Sequence, residues 1–181
     1  MCEWRHLLRP EHHFLPGEEN HYKGQVQRED GELVQVEAAT PKSELPGKPH
    51  GEGVMYYADS GDLYEGSWQQ GKKHGQGRQW YATGDAYLGA YEHNKKHGFG
   101  LYRYADGDCH EGTYQEGRKH GAGLYWYSDG RVLMSTYEQD EQVGPGVVWS
   151  ANADQAWLTE SGTQVKEPWR SIMISPFESS V

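Results

Sequence analysis

The stretch YEGSWQQGKKHGQG, residues 64–77, contains two short motifs whose recurrence decides the fold. Its closing motif occurs four times at a spacing of 23 residues, as HGQG (74–77), HGFG (97–100), HGAG (120–123) and the weaker VGPG (143–146). Its opening motif keeps the same spacing, as YEG (64–66), YLG (87–89), HEG (110–112) and the degenerate LMS (133–135). A fixed period of this length indicates a tandem-repeat architecture, in which function belongs to a surface built from several units.

The composition favours a thin fold over one with a thick apolar core. The 181 residues carry a net charge of −10 and include 24 glycines, 13 tyrosines and 7 tryptophans, and the mean hydropathy is −0.97. Tyrosine and tryptophan combine a wide ring with a polar tip, so they suit a surface that is half exposed to water. A single layer covered by aromatic rings therefore fits this composition better than a two-layer sandwich.

Each unit is predicted to contain two strands and two turns. In the clearest copy, residues 62–68 alternate as a strand, residues 69–73 turn, residues 76–81 return, and Thr83-Gly84 forms the second turn. Asp106-Gly107 and Asp129-Gly130 stand at the same second turn, where glycine readily adopts positive φ. The predicted fold is all-β: a single-layer antiparallel meander ribbon of tandem 23-residue β-hairpins with irregular ends.

The predicted domain organisation has three parts. Residues 1–20 form an N-terminal segment, and residues 21–149 form an array of about five units with a loop insertion near 37–48. Residues 150–181 form a closing hairpin around Ser161-Gly162 and a tail. Atypical ends are expected, because the terminal units of a stacked array must cover an open sheet edge.

One face of the ribbon is predicted to carry a row of glycines beside a row of rings. Successive side chains of a strand point to opposite faces, and this alternation places the repeated glycine and tyrosine positions together. Glycine would leave room for a ring from the adjoining strand, although the strand register stays open. The predicted protein-binding groove consists of Tyr64, Trp68, Tyr81, Tyr87, Tyr91, Tyr102, Tyr104, Tyr114, Tyr125 and Tyr127. The alternative is that these rings pack against one another.

Basic doublets recur in the first turn of three units and would form a basic edge along the ribbon. The doublets are Lys72 and Lys73, Lys95 and Lys96, and Arg118 and Lys119. They are candidates for binding anionic phospholipid, at roughly 1 kcal/mol per cation near a charged surface. The alternative is a solvated turn that keeps the ribbon soluble. Nucleic acid is not expected as a partner, because the strongly acidic body repels phosphate.

The sequence predicts neither a metal site nor a catalytic site. Four histidines share one repeat position, namely His50, His74, His97 and His120. Corresponding residues would lie about 10 Å apart, whereas zinc ligands lie about 2 Å from the ion, so a structural role in the turn is predicted for them. No catalytic motif is present, and acidic residues such as Asp85 and Asp108 are interpreted as turn formers. The chain is therefore predicted to be non-enzymatic, with no cofactor.

Cysteine use and the N-terminus favour a reducing compartment. Cys2 and Cys109 do not recur with the repeat, and no glycosylation sequon is present. No stretch resembles a signal peptide or approaches the roughly 20 apolar residues of a spanning helix. We therefore expect a cytoplasmic protein whose contact with membranes, if any, is peripheral.

The pattern Tyr-x-Gly-x-Trp-x-x-Gly-Lys-x-His-Gly-x-Gly at 64–77 closely resembles the MORN (membrane occupation and recognition nexus) repeat. About five copies, two of them degenerate, span residues 22–149. The resemblance implies a β-hairpin ribbon with a ring-lined groove, as used in cytoskeletal, ciliary and membrane-junction scaffolds. Some relatives fuse such arrays to lipid-kinase or methyltransferase domains, for which the remaining residues leave no room. Departures from the pattern are Asn94, His110, Leu133, Ser135 and Val143.

These observations lead to one functional prediction and one alternative. The prediction is a non-enzymatic scaffold that binds an extended or helical segment of a protein partner, in a cytoskeletal or ciliary assembly. Because a single layer cannot bury both of its faces, a second copy of the chain, giving a homodimer, is another candidate to cover the ring face. The terminal segments are a third candidate, through the apolar tail residues Trp169, Ile172, Met173, Ile174 and Phe177. The alternative is a peripheral membrane module that binds anionic phospholipid through the basic edge.

Overall fold

The computed structural model describes residues 19–160 together with the backbone of residues 163–168. Within these residues the chain forms thirteen strands and one short 3-10 helix, Lys42–Glu44. The strands are β1 (His21–Gln27), β2 (Leu33–Pro41), β3 (Lys48–Tyr57), β4 (Asp62–Gln69), β5 (Lys72–Trp80), β6 (Ala86–Glu92), β7 (Lys95–Arg103), β8 (Cys109–Gln115), β9 (Arg118–Trp126), β10 (Val132–Glu138), β11 (Glu141–Trp149), β12 (Ala156–Glu160) and β13 (Thr163–Pro168). No helix in this part of the chain is long and apolar enough to cross a membrane.

All thirteen strands belong to one antiparallel sheet. From β4 to β12 each strand pairs with the strands before and after it in sequence, and β13 pairs with β12, so this part is a simple meander. The predicted all-β ribbon of tandem hairpins is confirmed. Each 23-residue unit supplies two strands to the sheet, as the spacing of the repeated motifs indicated.

The N-terminal end of the sheet departs from the simple meander. β1 lies between β3 and β2, so β2 is the edge strand and residues 42–47 lead back past β1 to β3. The loop predicted near 37–48 is therefore shorter than expected. β2 continues to Pro41, because Thr40 pairs with Tyr22 and Pro41 with His21.

The C-terminal end carries the predicted hairpin. β12 pairs with β11 and β13 pairs with β12. The turn at Ser161-Gly162 and the tail from residue 169 lie outside the described residues, as do residues 1–18 of the N-terminal segment.

The first turn of each unit is a two-residue hairpin loop in which both residues have positive φ. Gln70 and Gly71 have φ of 48° and 81°, and His93 and Asn94 have 50° and 73°. These values fit the type I′ turn, which matches the twist of the flanking strands. Asparagine tolerates this backbone conformation, so the departure at Asn94 leaves the turn unchanged.

Side-chain carboxylates also join successive units. Asp62 Oδ1 accepts the backbone N–H of Ala82 at 3.1 Å, and Asp85 and Asp108 make the same bond to Ala105 at 2.9 Å and Ser128 at 2.8 Å. Interpreting these residues as turn formers missed this role, because the bond crosses from one unit to the next. Each unit is thereby fastened to its neighbour by a bond outside the strand ladder.

Candidate functional site

A row of glycines on one face of the sheet receives aromatic rings from the neighbouring strands. Gly66 pairs with Gly77 and Gly89 pairs with Gly100, so bare backbone lies on adjacent strands. The ring of Tyr64 lies across Gly77, and a Cβ at that glycine would overlap it. The same arrangement joins Tyr22 to Gly53, Tyr87 to Gly100, and His110 to Gly123. The predicted fit of rings over glycines is confirmed, and the structure fixes the register that the sequence left open.

The rings that lie over glycines are completely buried. Each hydroxyl group donates to the backbone carbonyl three residues later, from Tyr22 to Gln25 at 2.7 Å, from Tyr64 to Ser67 at 3.0 Å and from Tyr87 to Ala90 at 3.1 Å. The polar tip is thus satisfied inside the face, as a buried phenol requires. These residues form the core of the ribbon.

Half of the residues predicted to line the groove belong to this core. Tyr64, Trp68, Tyr87, Tyr91 and Tyr114 are all at most 5% exposed. Their rings meet edge to face, with centroids 5.0 Å apart for Tyr64 and Trp68 and 5.2 Å apart for Tyr87 and Tyr114. For these five residues the self-packing alternative is correct, because Tyr64 and Tyr87 lie over glycines and Trp68, Tyr91 and Tyr114 pack edge to face against them.

The other five predicted groove residues form a half-buried row that we call the tyrosine ladder. Its members are Tyr81, Tyr102, Tyr104, Tyr125 and Tyr127. Consecutive rings are in contact, with centroids 5.9, 4.7, 5.7 and 4.9 Å apart in that order. The ladder is a continuous aromatic surface that crosses three units.

Two carboxylates hold the ladder in place. Tyr102 donates its hydroxyl hydrogen to Asp85 Oδ2 at 2.9 Å, and Tyr125 donates to Asp108 Oδ2 at 2.8 Å. The pKa of Tyr104 rises to about 12, because burial and the nearby Asp140 disfavour its phenolate. The ladder is therefore neutral at physiological pH and presents ring surfaces whose positions are fixed.

The basic doublets are split between the ring face and the exposed edge. Lys73, Lys96 and Lys119 fold onto the ring face, while Lys72, Lys95 and Arg118 are exposed. This corrects the prediction of one basic edge bearing six cations. The turn contains only two residues, so each doublet begins a strand. The second cation of the doublet is then the second residue of that strand, and its side chain points to the face that carries the rings.

Each inward lysine lies against tyrosine rings. Lys73 Nζ lies 4.8 Å from the Tyr64 ring centroid and 4.9 Å from that of Tyr57, and Lys96 Nζ lies 4.4 Å from that of Tyr102. These distances are typical of cation–π contacts. Burial lowers the pKa of Lys73 to about 8 and also lowers the pKa of Lys96 and of Lys119.

Two of the exposed cations already have polar partners. Lys95 forms an ion pair with Glu116, and Arg118 donates to Gln139 Oε1 at 3.2 Å. The exposed edge therefore offers fewer free cations than the sequence suggested.

His110 occupies the position of the buried tyrosines in its unit. It is 0% exposed, and its Nδ1 lies 2.7 Å from the Tyr114 hydroxyl oxygen. Its pKa falls to about 3, chiefly because of burial, and then because of Lys119 and Lys96. Among the described residues, its Nε2 has no hydrogen-bond partner. The sequence marked His110 as a departure from the repeat pattern, but its register with Tyr87 and Tyr64 already indicated this buried position.

The four repeated histidines lie in strands and not in turns. His50, His74, His97 and His120 are each the third residue of β3, β5, β7 or β9. His97 Nδ1 lies 3.4 Å from Glu92 Oε2 at the surface. Across residues 19–160, no three histidine, cysteine or acidic side chains are grouped in a way that could hold a metal ion.

One family model and several solved structures match the chain. The family model of the MORN repeat matches residues 47–61, 64–86, 87–109 and 110–130. No curated protein matches the chain significantly. Among solved structures, the TCP domain of SAS-4 (dCPAP) of Drosophila melanogaster, in complex with a proline-rich motif of Ana2 (dSTIL), is similar at 14% identity and a TM-score of 0.37, over 89% of this chain and 94% of that one. The four matched repeats coincide with the strands from β3 to β9, so this chain contains MORN repeats over residues 47–130.

Proposed function

We propose that this chain is a non-enzymatic scaffold that binds a segment of a partner protein on the tyrosine ladder. The observation that carries the proposal is the unbroken contact of five half-buried tyrosine rings across three units. In this proposal the partner belongs to a cytoskeletal or ciliary assembly in the cytoplasm, or is a second copy of the chain.

The chemistry of the ladder supports binding to protein. Tyrosine gives a large contact area with only two side-chain torsions to fix, and it is enriched among residues that dominate binding energy. The hydrogen bonds to Asp85 and Asp108 have already fixed two of the rings. Binding therefore loses little side-chain entropy on the scaffold side.

The length of the ladder sets the size of the bound segment. Tyr81 follows β5 and Tyr127 follows β9, so the ladder crosses four strand spacings, or about 19 Å. This distance corresponds to roughly six residues of extended chain or to three to four turns of helix.

The test uses peptides selected on the immobilised full chain from a displayed library of random 12-residue sequences. Calorimetry then compares the affinity of the selected peptides for the parent and for a Tyr104→Ala, Tyr127→Ala double variant. We expect the double variant to bind at least about tenfold more weakly, since each ring is a large part of the contact. Neither of these hydroxyl groups contacts Asp85 or Asp108, so the fold should be retained.

The matched control is Phe99→Ala. Phe99 is 61% exposed and lies on the opposite face, because it pairs with Thr113 while its neighbour Gly98 pairs with Tyr114. This variant should bind the selected peptides as the parent does. Equal affinity of the ladder double variant and the parent would refute the proposal.

Vesicle co-sedimentation distinguishes the phospholipid alternative from the proposed binding to protein. Of the six cations in the doublets, Lys72, Lys95 and Arg118 remain on the exposed edge, and one of them is paired with Glu116. If the chain binds vesicles of phosphatidylserine and phosphatidylcholine at low salt, and if changing these three residues to Ser removes that binding, the alternative is favoured.

A further inference from the structure

A cavity of about 320 Å³ opens on the ring face beside Lys73. Its walls include Met55, Tyr57, Asp62, Trp68, Lys73 and Gln79. It lies in the first unit of the tyrosine ladder, that of Tyr81, and combines aromatic walls with a cation and a carboxylate. Such convergence of polar groups in an aromatic-walled cavity is typical of binding sites.

Comparison with the next two units shows why the cavity exists. Gln79 occupies the repeat position of Tyr102 and Tyr125. Its Nε2 donates to Asp62 Oδ2 at 3.3 Å, as Tyr102 donates to Asp85 Oδ2 at 2.9 Å. The contact with the carboxylate is therefore kept, but the aromatic ring is missing. The cavity lies where the ring of a tyrosine at position 79 would be.

The groups that hold the ring in the later units are present around the cavity. Tyr102 has its ring centroid 4.4 Å from Lys96 Nζ and its hydroxyl on Asp85. The corresponding groups in the earlier unit are Lys73 and Asp62, which both line the cavity. Lys73 Nζ makes a hydrogen bond of 2.6 Å to Gln79 Oε1, which leaves its two other hydrogens to face the aromatic surroundings.

We propose that this cavity binds a tyrosine side chain of a partner protein, with the ring against the Lys73 ammonium and the phenol hydroxyl donating to Asp62. The inference rests on the proposed protein-binding function and adds an anchor point to it. All tyrosines of the chain lie between residues 22 and 137, so the ends outside the described residues contain none. We therefore assign the phenol to the partner protein.

The first experiment measures binding of N-acetyl-L-tyrosinamide to the full chain by NMR. The reporters are the side-chain amide of Gln79 and the indole N–H of Trp68, both at the cavity. We expect a Kd on the order of 1 mM for one side chain. N-acetyl-L-phenylalaninamide should bind about tenfold more weakly, because it cannot donate to the Asp62 carboxylate, and sodium acetate should not shift the reporters.

The second experiment fills the cavity with a side chain of the protein itself. Gln79→Tyr places in this unit the residue that the next two units carry, so the variant should fold and should lose at least about tenfold in affinity for the tyrosinamide. Gln76→Tyr is the matched control, because Gln76 is exposed and lies three positions away on the opposite face. It should bind the probe as the parent does.

Three results would overturn the inference. The first is no binding of the tyrosinamide by the parent. The second is an equal response to acetate, which would make the cavity an anion site. The third is unchanged binding by Gln79→Tyr, which would place the probe elsewhere.

The ladder variant separates this inference from the proposed function. Tyr104→Ala with Tyr127→Ala should leave tyrosinamide binding at the cavity intact, because neither residue lines the cavity walls that hold the probe. If selected peptides bind through the ladder while the probe does not bind, only the cavity inference fails. If the probe binds and the ladder variant keeps full affinity for the peptides, only the ladder proposal fails.

Discussion

Tyr87 and Tyr102 face each other on adjacent strands, yet one is core and the other is surface. The two residues are direct partners in β6 and β7 and lie on the same face. Tyr87 is 0% exposed and lies across Gly100, whereas Tyr102 is half-buried and bonds to Asp85. The two residues share their type and their face of the sheet. The glycine beside the ring decides which tyrosine is available for binding.

The strongest test of this comparison removes one ring of each kind. Tyr87→Ala should lower the free energy of unfolding by about 3–5 kcal/mol, because it deletes a fully buried ring and leaves a cavity. Tyr104→Ala, in the ladder, should cost less than about 1 kcal/mol, since its ring is partly in water. Urea unfolding followed by circular dichroism measures both values. Equal losses would show that the ladder is core as well.

A smaller effect is expected from filling the glycine position itself. Gly100→Val would put a side chain where the Tyr87 ring lies, and overpacking of this kind costs typically 1–3 kcal/mol. Gly117→Asn is the control, because a Cβ at Gly117 meets no atom within 4 Å and Asn94 already holds the equivalent turn position. Thermal unfolding should shift for the first variant and stay within about 1 °C for the second.

The smallest effect concerns His110 and depends on pH. Its pKa is about 3 in the folded chain, against an ordinary value of 6.5, so below pH 6.5 the unfolded chain takes up a proton that the folded chain does not. The free energy of unfolding therefore falls as pH drops from 6.5 toward 3. His110→Tyr should remove this loss. The free energy of unfolding of the variant, relative to that of the parent, should therefore be about 2 kcal/mol higher at pH 5 than at pH 7.

Denaturant unfolding of the parent and of His110→Tyr at both pH values checks this prediction. The new hydroxyl would have the carbonyl of Thr113 as its acceptor, by analogy with Tyr64 and Tyr87. A gain that is the same at pH 5 and pH 7 would mean that packing, and not the proton, accounts for the difference.

The fold could be predicted from the sequence because the repeat period determines the order of strands and turns. Alternation within strands placed the glycines and tyrosines on one face, and the 23-residue spacing gave the hairpins. The sequence could not show that Tyr87 is buried and Tyr102 only half-buried. The strand register decides which ring lies over a glycine, and a shift of one residue exchanges the two faces. Lys73 was misplaced for the same reason, since the length of the turn determines which lysine of a doublet faces the rings.

The position of β1 in the sheet and the lysine of the cavity could not be predicted from the sequence. The position of β1 between β3 and β2 depends on pairing between distant segments, which no local pattern reports. The cavity could have been anticipated from Gln79, which interrupts a column of tyrosines. The sequence does not show that the neighbouring Lys73 turns inward beside it.

The meander from β3 to β13 has a consequence for how the protein unfolds. From β4 to β12 every strand pairs only with its neighbours in sequence, so the main contacts of each strand are with the strands next to it in the chain. Stability in such an array is a sum of unit and interface contributions. A force applied at the C-terminal end should therefore unfold the hairpins one after another, as a series of small steps.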